Sequence, residues 1–350
     1  MIFSANNYPI FQNVLYDTPE LAMKCKVADI EIEQDKETGL IYNKKFNPKL
    51  MYYDEEYHNE QQFSETFKNH LNNVKDIITR NFDKNSILEI GCGDGYFLEF
   101  LHNNGFDIEG MDPSYKGNNI NIKKEYYTEN SGKIYNAIIL RHVLEHLEDP
   151  YTFLLNLKNA NKNNGLIYIE APNLNYINDH CIFTNFFYEY VTYFRLNDLE
   201  SMFDSILESG TIFNEQYIYI VARLDSLKLP VKTDDFYLNK NFFDKLNNYI
   251  DIIKKSNSKK VIWGCSSKGV IFSILLNKND AKADYFVDIN PNKQNKYMPI
   301  ISNKDGYGKV HSYDTIKKYL DNDSIIFIMN SNYKNEIINF TNNKYNYITI

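Results

Sequence analysis

The sequence predicts an α/β protein with two open, largely parallel sheets that carry helices on both faces. Three observations lead to this prediction. An apolar segment runs into a glycine-rich loop at 87–95 and is followed by a helical pattern. Further apolar segments, each bounded by turn residues, follow at the spacing of β–α units. A second glycine-bounded turn, Gly264–Gly269, lies between a strand pattern and a helix pattern near the C-terminus.

Length and charge limit the classes of protein that remain. At 350 residues the chain exceeds one typical domain, and a hydrophobic content of 43% can supply more than one core. The net charge of -8, without a broad basic face, argues against general nucleic-acid binding. Met1–Asn6 lacks the features of a signal peptide, and no segment approaches the ~20 apolar residues of a membrane helix. We therefore expect a cytoplasmic protein without a membrane partner.

The cysteines argue against a metal centre. Cys25, Cys92, Cys181 and Cys265 are scattered and form no C-x-x-C pair. Structural zinc sites usually draw their thiolates from such pairs, so we predict no zinc and no other metal. Disulfides are not indicated either.

The glycine-rich loop has the form E-x-G-x-G-x-G, with Glu89, Gly91, Gly93 and Gly95 at the fixed positions. Glycines let the backbone approach a ligand, and the following helix offers free N–H groups at its N-terminus. The dinucleotide motif G-x-G-x-x-G needs a small last residue, and Tyr96 stands there instead. The loop therefore predicts a nucleotide-type ligand but argues against a nicotinamide oxidoreductase.

Three later segments extend this pattern. The strand at 106–110 leads to Asp112, a carboxylate placed to hold a ribose diol at the tip of the second strand. An apolar strand at 137–140 runs into Arg141-His142-Val143-Leu144-Glu145-His146, and 165–173 predicts another strand.

In this order and spacing, the segments resemble the S-adenosylmethionine-dependent methyltransferases of the Rossmann-like class, including their "HVLEH" signature. The family's Asp before that strand is replaced by Asn136. The resemblance implies S-adenosylmethionine as the cofactor and S-adenosylhomocysteine as its product, held by the glycine-loop residues and Asp112. It also implies that His142 lines the methionine end, where a structural role is the alternative, and that Tyr127, or its neighbour Tyr126, borders the adenine, where chance placement in a Tyr-rich chain is the alternative.

The last third is similar to the C-terminal domain of sugar C-methyltransferases, which act on deoxy-keto-sugar nucleotides. The similarity rests on four segments: Trp263–Gly269, Val287–Lys293, Tyr297–Pro299 and 330–337. It implies a sugar-nucleotide or similarly activated acceptor, in surface-polysaccharide or glycoside biosynthesis.

The predicted organisation follows the three-part plan of that family. It comprises a short N-terminal arm at 1–65, a cofactor domain at 66–225, a linker at 226–236 and a smaller Rossmann-like domain at 237–350. The chain leaves the oligomeric state open.

Two departures from the family affect the chemistry. Its zinc cysteines are missing, so the N-terminal arm is expected to be a zinc-free relic. Its Y-H-E-H-x-x-Y-F motif, whose final His is the proposed base, matches 187–194, where Glu189 is kept and Tyr190 replaces that His. Whether the acceptor atom is carbon or oxygen therefore stays open.

The candidate catalytic residues are Glu189, Tyr190 and His146. Glu189 is a candidate base or the partner of a histidine, with a surface carboxylate as the alternative. Tyr190, with an ordinary pKa near 10, is a better hydrogen-bond donor than base, and a packed aromatic is equally compatible with the pattern. His146 follows the fourth strand at the carboxyl edge where such sites open, although a capping or core histidine fits equally well.

For the acceptor, the resemblance points to Tyr57 and Tyr193, although Tyr52 and Tyr53 compete with Tyr57. Lys268, in the second glycine turn, is a candidate diphosphate contact, and a tight strand–helix connection explains that turn equally well. The alternative functions are a small-molecule O- or N-methyltransferase outside sugar metabolism and a noncatalytic cofactor-binding scaffold.

Overall fold

Three β-sheets organise the chain in a computed structural model, which describes residues 1–51, 63–128 and 133–350. The strands are β1 (Phe3–Pro9), β2 (Val27–Gln34), β3 (Ile41–Asn43), β4 (Ile87–Ile90), β5 (Ile108–Met111), β6 (Ile122–Lys123), β7 (Ala137–Arg141), β8 (Leu166–Pro172), β9 (Thr192–Tyr193), β10 (Ile206–Ile212), β11 (Tyr217–Arg223), β12 (Lys260–Trp263), β13 (Tyr285–Val287), β14 (Val310–His311), β15 (Ile325–Ile328) and β16 (Asn346–Thr349). The helices are α1 (Pro19–Met23), α2 (Glu65–Asn81), α3 (Tyr96–Asn103), α4 (Pro150–Ala160), α5 (Leu174–Asp179), α6 (Leu196–Glu200), α7 (Asp244–Lys255), α8 (Lys268–Lys278), α9 (Tyr313–Ile316) and α10 (Lys334–Phe340).

The central sheet has the strand order β10-β11-β8-β7-β4-β5-β6. Strands β4 to β8 run parallel, and β11 is antiparallel to both of its neighbours. The chain winds outward from β4 in both directions, so the carboxyl ends of β4 and β7 border a topological switch point. All four residues of β4 are buried, as a parallel strand covered on both faces requires. The predicted α/β fold with a doubly wound central sheet is confirmed.

Helix α2 shows how the local pattern specifies an element. Its buried residues, which include Leu71, Val74 and Ile78, recur at helical spacing. Ser64 caps the N-terminus, because its side chain accepts a hydrogen bond from the backbone N–H of Phe67. The helix packs beside β4 and leads the chain into the glycine loop.

The C-terminal sheet is smaller and entirely parallel, with the order β14-β13-β12-β15-β16. Its switch point lies between β12 and β15. The turn from β12 into α8 is tight, since a Cβ at Gly269 would run into the carbonyl oxygen of Gly264. The second α/β unit expected from the sequence is therefore present, with its own crevice at the carboxyl edge.

The N-terminal region packs against both other parts of the chain. It forms an antiparallel sheet in the order β1-β2-β3-β9, and β9 is contributed by the central segment, where Thr192 pairs with Tyr42. The arm also contacts the C-terminal unit, because the backbone N–H of Ser267 donates to the Gln12 carbonyl across 3.0 Å. One hydrophobic cluster joins this sheet to α7 and α8. The arm is thus built into the other parts of the chain, and the predicted domain boundaries stay a prediction.

Candidate functional site

The glycine loop connects β4 to α3 and takes a backbone form that few residues other than glycine adopt. Gly91, Gly93 and Gly95 all have positive φ. At Gly93 the space beyond the backbone is open, since a Cβ there would meet no atom within 4 Å. The Gly93 N–H donates to Asp112 Oδ2 across 2.8 Å. Two of the predicted cofactor residues are therefore in direct contact.

The Asp112 carboxylate is held in one orientation at the carboxyl edge of β5. Its Oδ1 accepts hydrogen bonds from the backbone N–H of Ser114 at 2.8 Å and from the Ser114 hydroxyl at 2.6 Å. The residue is only 8% exposed. A carboxylate fixed beside an open glycine loop suits a ligand with a pair of hydroxyl donors.

Glu89 is a buried carboxylate at the end of β4. Its Oε2 has no hydrogen-bond partner in the structure. Burial raises the pKa of Glu89 to about 7, although the nearby Arg141 guanidinium acts in the opposite direction. The guanidinium lies over the Phe97 ring, 4.4 Å from its centre. A buried acceptor without a donor beside the loop is another feature that a bound ligand would satisfy.

His142 lies between two carboxylates. Its Nδ1 is 3.3 Å from Glu145 Oε1, and its Nε2 is 3.0 Å from Glu170 Oε1. Burial alone would lower the pKa of His142, but the two carboxylates outweigh it and raise the pKa to about 9. His142 is therefore an imidazolium at neutral pH, so it is a poor proton acceptor.

Glu170, on β8, is the centre of this buried network. Its Oε1 lies 3.0 Å from His70 Nε2 and 3.5 Å from the Arg141 guanidinium, and its Oε2 accepts a hydrogen bond from Tyr168 at 2.7 Å. Burial opposes ionisation, but the surrounding cations hold the pKa of Glu170 well below its usual range. The sequence reasoning missed Glu170; its signal is a single acidic residue inside the apolar run of β8.

A cavity of about 580 Å³ lies between the carboxyl edges of the central and C-terminal sheets. The central part of the chain supplies His142, Glu145, His146, Glu189, Tyr190 and Gln216, among others. The C-terminal unit supplies Gly264, Ser266, Lys268, Asp288, Lys293 and Tyr333, among others. Among the described lining residues none comes from 91–95. A second cavity of about 620 Å³ is lined by Asp94 and shares Gln294 with the first, so the glycine loop borders the adjacent space.

The three candidate catalytic residues lie on one wall of the first cavity. The His146 ring approaches the Glu189 carbonyl oxygen at 3.0 Å and meets the Tyr190 ring edge-on at 5.4 Å. The backbone N–H of Val191 donates to the Glu145 carbonyl across 2.7 Å. The short 3-10 turn Leu144–His146 is thus fastened to the segment 189–191, which explains why residues far apart in sequence meet here.

The two tyrosines of this segment have different environments. Burial, and then the charges of Glu145 and Glu189, raise the pKa of Tyr190 well above its usual value, so its hydroxyl stays protonated. The Tyr193 hydroxyl instead donates to the Phe187 carbonyl and accepts from the Phe187 N–H, both at 3.1 Å. Tyr193 is not among the described lining residues. The acceptor contact at Tyr193 therefore stays a prediction, and in this structure the Phe187 backbone binds its hydroxyl.

The other predicted contacts are placed as follows. Tyr127 is half-buried and meets the Phe153 ring edge-on at 6.3 Å, beside the apolar cluster of the central sheet. Tyr57 and its competitors Tyr52 and Tyr53 lie outside the described residues.

Lys268 begins α8 and lines the cavity, and in the described part of the chain its ammonium has no hydrogen-bond or ion-pair partner. Burial lowers the pKa of Lys268 to about 8. Lys293, which the sequence reasoning did not select, donates to the Ser266 hydroxyl at 2.7 Å and forms no salt bridge with a described carboxylate. This wall therefore carries two cations without carboxylate partners.

Across residues 1–51, 63–128 and 133–350, no three His, Cys, Asp or Glu side chains converge as a metal-binding group. Over the same ranges, no helix is long and apolar enough to cross a lipid bilayer.

Residues 59–206 match the family model of a methyltransferase domain. The ubiquinone biosynthesis O-methyltransferase of Rickettsia bellii is 29% identical over 124 residues, which cover 31% of this chain and 48% of the relative. The corresponding Rickettsia felis protein is 27% identical over 172 residues, covering 45% and 62%. The chain therefore spans about half the length of the curated relatives it matches.

Solved structures give weaker similarity. A Pyrococcus horikoshii protein aligns with a TM-score of 0.38 at 12% identity, covering 49% of this chain and 99% of its own. The 1,6-didemethyltoxoflavin-N1-methyltransferase of Burkholderia thailandensis, solved with S-adenosylhomocysteine, aligns with a TM-score of 0.34 at 11% identity, covering 44% and 77%. The family match alone identifies 59–206 as a methyltransferase domain.

Proposed function

We propose that the protein is an S-adenosylmethionine-dependent methyltransferase whose acceptor is a nucleotide-linked or similarly activated sugar, used in surface-polysaccharide or glycoside biosynthesis. One observation carries the proposal. The cavity is shared between a methyltransferase domain, which bears His146 and Glu189, and a second crevice, which bears Lys268 and Lys293. A cavity that is lined by residues of the methyltransferase domain and by two lysines suits an acceptor that carries phosphate.

The residues of the central domain fit the cofactor. Asp112 would hold the ribose hydroxyls, Gly93 leaves room for the ligand beside the backbone, and the unpaired oxygen of Glu89 would accept a hydrogen bond. His142, at the cavity edge of the same sheet, would line the methionine end. When bound, S-adenosylmethionine would supply a sulfonium-bound methyl group with a neutral thioether as its leaving group, and this chemistry requires no metal.

The protein's own contribution is to orient the acceptor, exclude water and remove one proton. Glu189 and His146 are the candidate proton acceptors that the sequence suggests. Tyr190 stays protonated, so it would donate a hydrogen bond to an acceptor oxygen.

In the C-terminal unit, Lys268 would contact the phosphates of the acceptor. Its position at the first turn of α8 adds the backbone N–H groups of the helix N-terminus to the ammonium charge. Lys293 would contribute a second cation from the loop that follows β13. Burial lowers the pKa of the unpaired Lys268, and a phosphate at this wall would favour its charged form.

A small-molecule O-methyltransferase outside sugar metabolism is the alternative. The names of the Rickettsia relatives favour it, since they describe O-methylation in ubiquinone biosynthesis. A noncatalytic scaffold would bind S-adenosylhomocysteine and transfer no methyl group.

Binding of UDP, as a probe for the phosphate wall, tests the sugar-nucleotide proposal. We expect calorimetry to detect UDP binding to the wild type and Lys268→Ala to weaken it, by ~1.5–3 kcal/mol for a lost charge-assisted hydrogen bond. Lys254→Ala, an exposed lysine of the same unit, is the matched control and should bind UDP as the wild type does. Equal UDP affinity in Lys268→Ala and the wild type would remove the phosphate contact from the proposal.

A further inference from the structure

Glu145 has an unusual combination of burial and unmet hydrogen-bonding capacity. Its side chain is only 2% exposed, yet it lines the cavity. One carboxylate oxygen lies 3.3 Å from the His142 ring, whereas the other, Oε2, has no hydrogen-bond partner in the structure. A buried carboxylate oxygen without a hydrogen bond reduces the stability of the folded protein unless a ligand supplies a donor.

The position of Glu145 is fixed from both sides. It belongs to the turn Leu144–His146. The backbone carbonyl of Glu145 accepts a hydrogen bond from the Val191 N–H, and the His146 ring contacts the Glu189 carbonyl oxygen. The charge of Glu145 is felt by Tyr190, whose pKa it helps to raise. The carboxylate thus faces the same space as the candidate hydrogen-bond donor and is held there by the fold.

His142 is a poor candidate to take the proton in place of Glu145. His142 already lies between the carboxylates of Glu145 and Glu170. The His142 ring contacts Oε1 of Glu145, and Oε2 of the same carboxyl group has no hydrogen-bond partner in the structure. The cavity lining therefore includes a carboxylate that the fold holds in place, with one oxygen not yet hydrogen-bonded, and a general base needs such a fixed position within reach of the proton.

We propose that Glu145 contacts the acceptor and removes the proton of its reacting hydroxyl, which makes this enzyme an O-methyltransferase. The acceptor oxygen forms a bond to the methyl carbon while its proton passes to Glu145 Oε2. The bond between that carbon and the sulfonium sulfur breaks, and its electron pair remains on sulfur. The inference rests on the proposed methyltransferase function and narrows its acceptor atom to oxygen.

The test compares Glu145→Gln with Glu189→Gln, and with Glu148→Gln as a control on an exposed carboxylate three residues away. Methyl transfer from labelled S-adenosylmethionine is measured on UDP-glucose, dTDP-glucose, GDP-mannose and catechol. We expect Glu145→Gln to lower the rate by ~10²–10⁴, the usual loss for an acid–base group. Its calorimetric affinity for S-adenosylhomocysteine should match that of the wild type, and Glu148→Gln should keep the wild-type rate.

Each other outcome contradicts a defined part of the account. Wild-type rates in Glu145→Gln, or a loss confined to Glu189→Gln, would overturn the role of Glu145. Loss of S-adenosylhomocysteine binding in Glu145→Gln would also overturn it, by assigning the residue to the cofactor pocket. Transfer to carbon would overturn the choice of oxygen. Transfer by the wild type to catechol alone would refute the sugar acceptor and leave the test of Glu145 valid. A wild type inert on all four would refute the proposed function and this inference together.

If Glu145→Gln does not fold, Glu145→Asp keeps the charge and shortens the side chain. Because it moves the carboxylate away from the acceptor, we expect a partial loss of rate with unchanged S-adenosylhomocysteine binding. A wild-type rate in Glu145→Asp would contradict direct contact.

Discussion

The backbone N–H of Gly93 donates to Asp112 Oδ2 across 2.8 Å and so ties the first loop of the central sheet to the tip of its second strand. The C-terminal sheet repeats this contact between Cys265 and Asp288 at 3.0 Å. In both units, the carboxylate that follows the second strand accepts a hydrogen bond from a backbone N–H in the loop that follows the first strand. The two α/β units therefore share this hydrogen-bonding arrangement, and residues of both units line the two adjacent cavities.

The contact between Gly93 and Asp112 predicts that substitutions at either residue weaken cofactor binding. Asp112→Ala removes the carboxylate, and Gly93→Val places a side chain in the open space beside the loop, at a φ that valine avoids. We expect both variants to lose calorimetric affinity for S-adenosylhomocysteine. Asp83→Ala, an exposed aspartate just before β4, is the control and should bind normally. Undiminished binding in both variants would place the cofactor elsewhere.

The environment of His142 predicts a pH-dependent contribution to stability. Its pKa is raised from 6.5 to about 9 in the folded protein, so the folded state binds the proton more tightly than the unfolded state. The resulting stabilisation is fully present below pH 6.5 and is lost as the pH rises through about 9.

Urea unfolding of the wild type and His142→Asn across pH 6 to about 10 tests this, because the difference in the free energy of unfolding should shrink over that range. A difference that does not change with pH would show that His142 is not held as an imidazolium.

The buried ion pairs of Glu170 predict a large loss of stability when its charge is removed. Glu170→Gln leaves the Arg141 guanidinium and the His142 imidazolium without the buried carboxylate they share. Breaking a buried ion pair from one side typically costs ~3–5 kcal/mol in the free energy of unfolding. Glu148→Gln should cost almost nothing, since that side chain is exposed. Equal stability of Glu170→Gln and the wild type would contradict the network.

The sequence also predicts a metal-free protein. Elemental analysis of the purified chain should find no stoichiometric zinc, and treatment with a chelator should leave its thermal unfolding unchanged. One zinc ion per chain would refute this prediction.

Local patterns were sufficient to predict much of this fold. The doubly wound sheet was expected because buried parallel strands such as β4 and β7 are continuous apolar runs, and this expectation is confirmed. The methyltransferase prediction is confirmed for 59–206 by the family match. The sugar acceptor, by contrast, remains a proposal.

The features that could not be predicted from the sequence depend on contacts between residues that are far apart in the chain. The two-residue strand β9 has no pattern of its own and exists only because β3 pairs with it. The Tyr193 hydroxyl is hydrogen-bonded to the Phe187 backbone, a contact that the motif around Tyr193 does not encode. Glu145 lay inside a recognised motif, but its unpaired oxygen depends on which side chains surround it, and no local spacing encodes that.

The central claim is that this chain transfers a methyl group to an activated sugar, and product mass spectrometry tests it most directly. The wild type is incubated with S-adenosylmethionine and with UDP-glucose, dTDP-glucose or GDP-mannose in turn, beside Asp112→Ala. The account predicts one added methyl group on a sugar nucleotide, located on a sugar oxygen by fragmentation and absent with Asp112→Ala. Cofactor binding without transfer to any of these acceptors would contradict it.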